Sequence, residues 1–161
     1  MTISVGAKLP EATLLKMGAN GAEAVSLGER LRGRKVVIFG LPGAFTGTCS
    51  TSHLPSFMRT KDKFAAKGVD EIICVAVNDP FVMKAWGEAT GADKAGVTLL
   101  ADADGSLTRA LGMQFTVPGL GFFDRSQRYA AVVEDGVATV VQVDKPGECN
   151  ISTGEALLEA I

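Results

Sequence analysis

The chain has 161 residues, 47% of them hydrophobic, enough for a single domain over residues 1–161 that buries roughly 70% of its extended surface. Lys and Arg total 16 against 18 Asp and Glu, so the net charge of −2 offers no field for phosphate backbones, and nucleic acid is excluded as an expected partner. Three cysteines are an odd number, unlike the dense even framework of small secreted domains, and point to thiols kept in a reducing compartment.

In chain order, Met1 to Leu15 carry no basic segment followed by an apolar one, so no signal peptide is visible and a cytoplasmic location is expected. Val36–Gly40 (VVIFG) predicts a buried strand behind the basic cluster Arg30, Arg32, Arg34 and Lys35. The uncharged run from Val36 to Met58 is broken by Pro42, Pro55 and three glycines, so no membrane-spanning helix is expected. Leu54, Phe57, Met58, Lys61 and Phe64 recur at spacings of three and four, predicting an amphipathic helix over about Cys49–Ala66 that Gly68 stops.

Ile72–Val77 (IICVAV) reads as a second strand, with Asn78, Asp79 and Pro80 as the cap and first turn of a helix over about Pro80–Ala89. Val97–Ala101 is a third strand, ended by the turn Asp102–Gly105 before a short helix, Ser106–Leu111. Tyr129–Val133 and Val137–Val143 are β-rich runs joined around Asp135-Gly136, a strong hairpin signal. Ser152 with Glu155 three residues on forms a capping box for a last helix whose apolar side is Leu157, Leu158 and Ile161. Strands linked by helices pair in parallel and the hairpin is antiparallel, so the fold class is α/β: a mixed central sheet with helices on both faces, resembling the thioredoxin-like arrangement.

Cys49 falls where the first predicted strand has ended and a helix begins. Unpaired N–H groups of a first helical turn, and the positive end of its dipole, favour the thiolate over the thiol. Thr46, three residues earlier, has a hydroxyl able to accept from a substrate O–H or donate to the thiolate, and Pro42 with the nearby glycines sets the loop's path. Read from position alone, Cys49 could equally be a small buried hydrophobe. His53 is the only histidine, one helical turn beyond Cys49, so a Cys–His pair is conceivable. Cys74, flanked by branched apolar residues, is expected to be structural and inert, and Cys149 lies in KPGECN on an expected exposed loop. One histidine and three widely spaced cysteines offer no metal cluster, and the glycine-containing loop lacks the GK[ST] ending of a phosphate loop. Cys49 is followed by Ser50, Thr51 and Ser52, so there is no C-x-x-C pair, which disfavours a thioredoxin-type disulfide oxidoreductase.

Pro42, Thr46 and Cys49 together spell P-x-x-x-T-x-x-C, and the string PGAFTGTCSTSHLPSF resembles that of the type II or type 5 subfamily of peroxiredoxins. VNDPFVMKAW and GLGFFDRSQRY are similar to two further blocks of that subfamily, and Arg128 matches the arginine just before an aromatic strand residue. The resemblance spans nearly the whole chain. It implies a thiol peroxidase in which the Cys49 thiolate attacks hydrogen peroxide or an alkyl hydroperoxide and becomes a sulfenic acid. Thr46 would hold the peroxide, Arg128 would lower the thiolate pKa and stabilise developing charge, and Pro42 would shield the sulfenic acid. Arg125 and His53 would have supporting roles. Some subfamily members place a resolving cysteine near Cys149, which here is either that residue or a bystander. The resemblance implies no metal, haem or flavin cofactor. The reductant would be glutathione with glutaredoxin, favoured because no resolving cysteine is evident, or thioredoxin in an atypical two-cysteine cycle, and a homodimer is expected through apolar groups in Pro42–Phe45, Phe81 and Trp86. A non-catalytic interaction module on the same scaffold is the alternative from another class.

Overall fold

The computed structural model describes residues 2–161, with the side chains of Cys49 and Ser50 outside that description. The chain opens with a hairpin, β1 (Thr13–Gly18) and β2 (Gly21–Ser26), and the short α1 (Leu27–Leu31), capped by the Ser26 hydroxyl. β3 (Lys35–Gly40) leads through a loop into a π-helical turn (Cys49–His53) continuous with α2 (Leu54–Ala66). The alternating part continues with β4 (Glu71–Ala76), α3 (Pro80–Thr90), the single turn α4 (Ala92–Ala95), β5 (Thr98–Ala101) and α5 (Ser106–Ala110). A separate two-stranded ribbon, β6 (Gln114–Val117) and β7 (Phe122–Ser126), precedes the closing hairpin β8 (Tyr129–Glu134) and β9 (Val137–Val143) and the last helix α6 (Gly154–Glu159).

One seven-stranded sheet organises these elements in the order β2-β1-β5-β4-β3-β8-β9. β3 pairs in parallel with β4, and β4 with β5, as strands joined by helical crossovers must; β8 pairs antiparallel with both β3 and β9. Asp135 and Gly136 both take positive φ (48° and 80°), the type I′ geometry that matches the twist of a tight hairpin. Side chains alternate across the central strands. Val37, Phe39, Ile72, Cys74, Ala130 and Val132 point to the face covered by α2, α3 and α6, while Val36, Ile38, Ile73, Val75, Tyr129 and Val133 point to the face covered by α1 and α5. The expected mixed sheet with helices on both faces is therefore present, and its central strands are continuous apolar runs because both sides are buried.

Three expectations need correction. The helix predicted over Cys49–Ala66 is divided: Pro55 has no N–H for the Thr51 carbonyl, and the turn just before it is widened to the π form. The last helix is capped by Thr153, whose hydroxyl accepts from the Ala156 N–H; Ser152 is buried one residue earlier with its hydroxyl on Asp144, so the box with Glu155 does not form. β1, β2, β6 and β7 were not legible: β2 (GAEAVS) lacks β-branched density and is held as an edge strand by its pairing with β1. Among the described residues no helix is long and apolar enough to cross a membrane.

Candidate active site

The parallel strands β3 and β4 end at the same edge of the sheet, so the loops that follow them meet there. The β3 loop carries Pro42 and Thr46 and delivers the chain into the Cys49 turn. Its main chain is fastened from outside at two points: the Ala44 N–H donates to Asn78 Oδ1 (2.9 Å), and Arg125 Nη1 donates to the Pro42 carbonyl (3.0 Å). Arg125 comes from β7 and lies 5.5 Å from the centroid of the Phe122 ring, so the ribbon that the sequence did not reveal supplies a prop for the loop. A Cβ at Gly43 would displace the Arg125 guanidinium that makes the bond to Pro42. Phe45 follows in the left-handed region (φ 63°), an uncommon conformation for a bulky residue and one that concentrates at functional loops.

The Thr46 hydroxyl donates to the Gly43 carbonyl at 2.7 Å. Its only proton is thereby directed into the loop, and what the oxygen presents outward is acceptor capacity. Of the two roles open to Thr46 from sequence, accepting from a peroxide O–H fits this rotamer and donating to a thiolate does not.

Cys49 opens the π turn, and its side chain lies outside the described residues. The turn's backbone is secured by neighbours. Thr51 Oγ1 donates to the Gly47 carbonyl (2.8 Å), which ties the turn to the residue two positions before its start. His53, at the other end of the turn, is fully buried against Phe39 and Phe57, with ring centroids 5.1 and 5.8 Å away. Its Nε2 lies 2.9 Å from the Ser152 carbonyl, which can only accept, so the ring is the Nε2–H tautomer. Burial pushes its pKa down to about 4; the nearby Arg128 charge lowers it further, while the bond to Ser152 and the Asp144 carboxylate act in the opposite sense. The ring is therefore held neutral, with its one N–H committed to the Ser152 carbonyl.

Arg128 sits half-buried between β7 and β8 at the same edge, its carbonyl accepting from the Asp144 N–H (2.9 Å). Asp144 in turn gathers the segment before α6: its carboxylate accepts from the N–H groups of Asn150, Ile151 and Ser152 and from the Ser152 hydroxyl. Burial works to raise this carboxyl, but those bonds, led by the Ser152 hydroxyl, outweigh it and hold it below the ordinary carboxylate range. Cys149 is half-buried in the loop that Asp144 closes, less exposed than its sequence implied. Cys74 is fully buried within β4, as expected for a structural residue. Among the described residues no three His, Cys, Asp or Glu side chains group as metal ligands.

Sequence reasoning missed Asn78, Asp144 and Ser152. The order Asn78-Asp79-Pro80 predicts a helix cap that includes Asn78, but Asp79 caps α3, through the Val82 N–H, and Asn78 serves the loop instead. Asp144 and Ser152 act through backbone groups that no spacing announces.

A cysteine-bearing turn at the carboxyl edge of a mixed sheet of this order defines a thioredoxin-like redox protein, and residues 4–158 match the family model described as Redoxin. Peroxiredoxin-2D of Arabidopsis thaliana is 41% identical over 160 residues, covering 99% of this chain and 98% of that protein, and the chloroplastic Peroxiredoxin-2E-2 of Oryza sativa subsp. japonica is 45% identical, covering 99% and 73%. Among solved structures, reduced Prx3 of Vibrio vulnificus in complex with hydrogen peroxide superposes with a TM-score of 0.93 at 45% identity, covering 99% of both chains. Peroxiredoxin 5 from Alvinella pompejana matches at a TM-score of 0.85 and 33% identity over 98% of this chain and 97% of that one. The chain belongs to the peroxiredoxin family, in its type II branch, and is a thiol peroxidase.

Proposed function

We propose that the protein reduces hydrogen peroxide and small alkyl hydroperoxides through Cys49 and is recycled by glutathione and glutaredoxin. The Cys49 thiolate attacks the terminal peroxide oxygen, the O–O bond breaks, and the leaving oxygen takes a proton to become water or an alcohol. The sulfur, oxidised by two electrons, becomes a sulfenic acid. Thr46 accepts the peroxide O–H through the oxygen that its bond to Gly43 leaves outward, Arg128 stabilises the charge spreading over the two oxygens, and Pro42 covers the sulfenic acid. Arg125 keeps the Pro42 carbonyl in place.

Glutathione then attacks the sulfenic sulfur and expels water, and a second thiol takes the glutathione from the mixed disulfide and returns the Cys49 thiolate. The observation that carries this choice of reductant is the placement of the other two thiols. Cys74 is fully buried in a central strand, and Cys149 is half-buried beside residues whose N–H groups Asp144 holds, which supports a resolving thiol supplied from outside the chain. The thioredoxin-linked alternative has its own support: the Ser152 carbonyl rests on His53, so the segment that follows Cys149 lies against the turn that carries Cys49. No cofactor takes part, and the cytoplasm is the proposed compartment.

Homodimerisation would use the apolar groups beside the site. Phe45 and Phe81 are 57% and 66% exposed, and Leu120 and Phe123 add 67% and 64% on the neighbouring ribbon. Trp86, expected from sequence to join this surface, is instead fully buried in the core, and Pro42 and Ala44 are buried too.

Intact mass after one equivalent of hydrogen peroxide, with and without glutathione, tests the proposal. Gain of one oxygen, replaced by a glutathione adduct and absent in Cys49→Ser, is the expected result. Loss of two hydrogens that disappears in Cys149→Ser would overturn the glutathione cycle in favour of an internal disulfide.

A further inference from the structure

His53 is a buried titratable ring beside the site that the reaction does not use. It is fully buried, its Nδ1 has no hydrogen-bond partner among the described residues, and its Nε2–H goes to a backbone carbonyl on the far side of the sequence. A histidine in a purely apolar niche between Phe39 and Phe57 would be replaced by leucine at a gain, since burying an unpartnered nitrogen is unfavourable. What it supplies is a directed bond. A second bond joins the same two segments. Ser56 Oγ donates to the His53 carbonyl (2.6 Å) and accepts from the Gly154 N–H (2.9 Å), so the head of α2 and the head of α6 are laced together through His53 and Ser56. Gly154 permits the approach, because a Cβ there would meet the Ser56 carbonyl and the Thr60 hydroxyl.

The Ser152 end of the lacing is itself rigid. Asp144 holds the N–H groups of residues 150–152, and the Asp144 N–H is on the Arg128 carbonyl. A chain of hydrogen bonds therefore runs from the backbone of Arg128 through Asp144 and Ser152 to the turn that opens with Cys49. A π turn is less regular than an α-helix and has no intrinsic reason to hold one geometry. Here its far end is fixed from outside.

We propose that His53 is a positioning residue for Cys49: its Nε2–H bond to Ser152 fixes the turn that carries the thiol relative to the Asp144-held segment and Arg128. This rests on Cys49 being the reacting thiol, as in the proposed function. The charged groups that face the ring are Arg128 and Asp144, and neither needs to titrate for the lacing to act.

The test compares His53→Leu with His53→Gln, whose amide N–H can reach the Ser152 carbonyl, in a Cys74→Ser, Cys149→Ser background. The readout is the pH profile of Cys49 alkylation by iodoacetamide. His53→Leu is expected to shift the profile to higher pH and slow alkylation at neutral pH at least threefold, with Gln restoring most of it. A folded His53→Leu with the parent profile would overturn the proposal and leave His53 as packing only. Should His53→Leu fail to fold, Asp144→Asn loosens the other end of the chain, and an unchanged profile there overturns it equally. Alkylation needs no peroxide, so failure of the unsubstituted protein to consume peroxide would sink the peroxidase reading without touching this result.

Discussion

The two ends of the central sheet are closed by different means. At the end where β3 and β4 begin, charge meets charge: Glu71 takes a forked bond from Arg30, a second arginine, Arg34, at 3.0 Å, and the Thr98 hydroxyl. At the end where those strands finish, side chains grip the main chain: Asn78 holds Ala44, Arg125 holds Pro42, His53 holds Ser152, and Asp144 holds residues 150–152. An ion pair fixes side chains and leaves the backbone to the strands. Bonds from side chains to backbone fix a loop that has no strand to hold it, which is what a reacting loop needs. The first end secures the fold, and the second secures geometry around one turn.

If that contrast holds, damage to the two ends should have different signatures. The largest expected effect is acid sensitivity at the reactive end. His53 has a folded pKa of about 4 against an unfolded value of 6.5, so the unfolded chain takes the proton first as pH falls. Its contribution to stability is complete above about pH 6.5 and is lost progressively down to about pH 4, a change on the order of 3 kcal/mol. Asp144 and Glu71, both held below their ordinary values, lose their contributions only at more acid pH. Urea midpoints between pH 7 and 4.5 should therefore fall in the parent and stay nearly flat in His53→Gln. An equally steep fall in His53→Gln would remove the histidine from the explanation.

Next in size is Glu71→Ala. Burial raises this carboxyl, but the hydrogen bonds from Arg30 and Thr98 and the charges of Arg30 and Arg34 together bring it below the usual range. Losing it leaves two arginines that can reach solvent from their partly exposed positions, so the expected loss is about 2 kcal/mol of stability, with peroxide turnover unchanged. Slower turnover in this variant would blur the division between the ends. Thr46→Val and Arg128→Ala should do the reverse: each slows peroxide reduction at least tenfold, about 1.4 kcal/mol of transition-state stabilisation, with melting temperature little changed. Turnover in either at the parent rate would take that residue out of the reaction.

The legible part of this molecule is what periodicity and local chemistry encode. Val36–Gly40, Ile72–Val77 and the Asp135-Gly136 hairpin announced themselves because central strands are continuous apolar runs and a type I′ turn demands those residues. Pro42, Thr46, Cys49 and Arg128 were legible through resemblance, and the structure brings their segments to one edge. The rest depends on long-range bonds to backbone groups. Asn78 looked like half of a cap, Ser152 looked like the cap itself, and Asp144 looked like an ordinary loop residue, because a carbonyl or N–H partner leaves no mark in sequence. Trp86, which the resemblance to a dimeric subfamily points to as an interface residue, is core: α3 places it on the face of the sheet that carries Phe39 and Cys74. The ribbon of β6 and β7 was invisible for a similar reason: its residues are half exposed, and what stabilises it is Arg125 reaching the Pro42 loop and Phe115 packing edge-on against Phe122.

The central claim is that the turn opening with Cys49 carries the reacting thiol and that the other two cysteines are dispensable for the first step. Peroxide consumption driven by dithiothreitol, measured for the parent, Cys49→Ser, Cys74→Ser and Cys149→Ser side by side, addresses it directly. Loss of activity in Cys49→Ser alone, with the other two variants near the parent rate, is the predicted result. Retained turnover in Cys49→Ser, or its disappearance in a well-folded Cys74→Ser, would contradict the assignment.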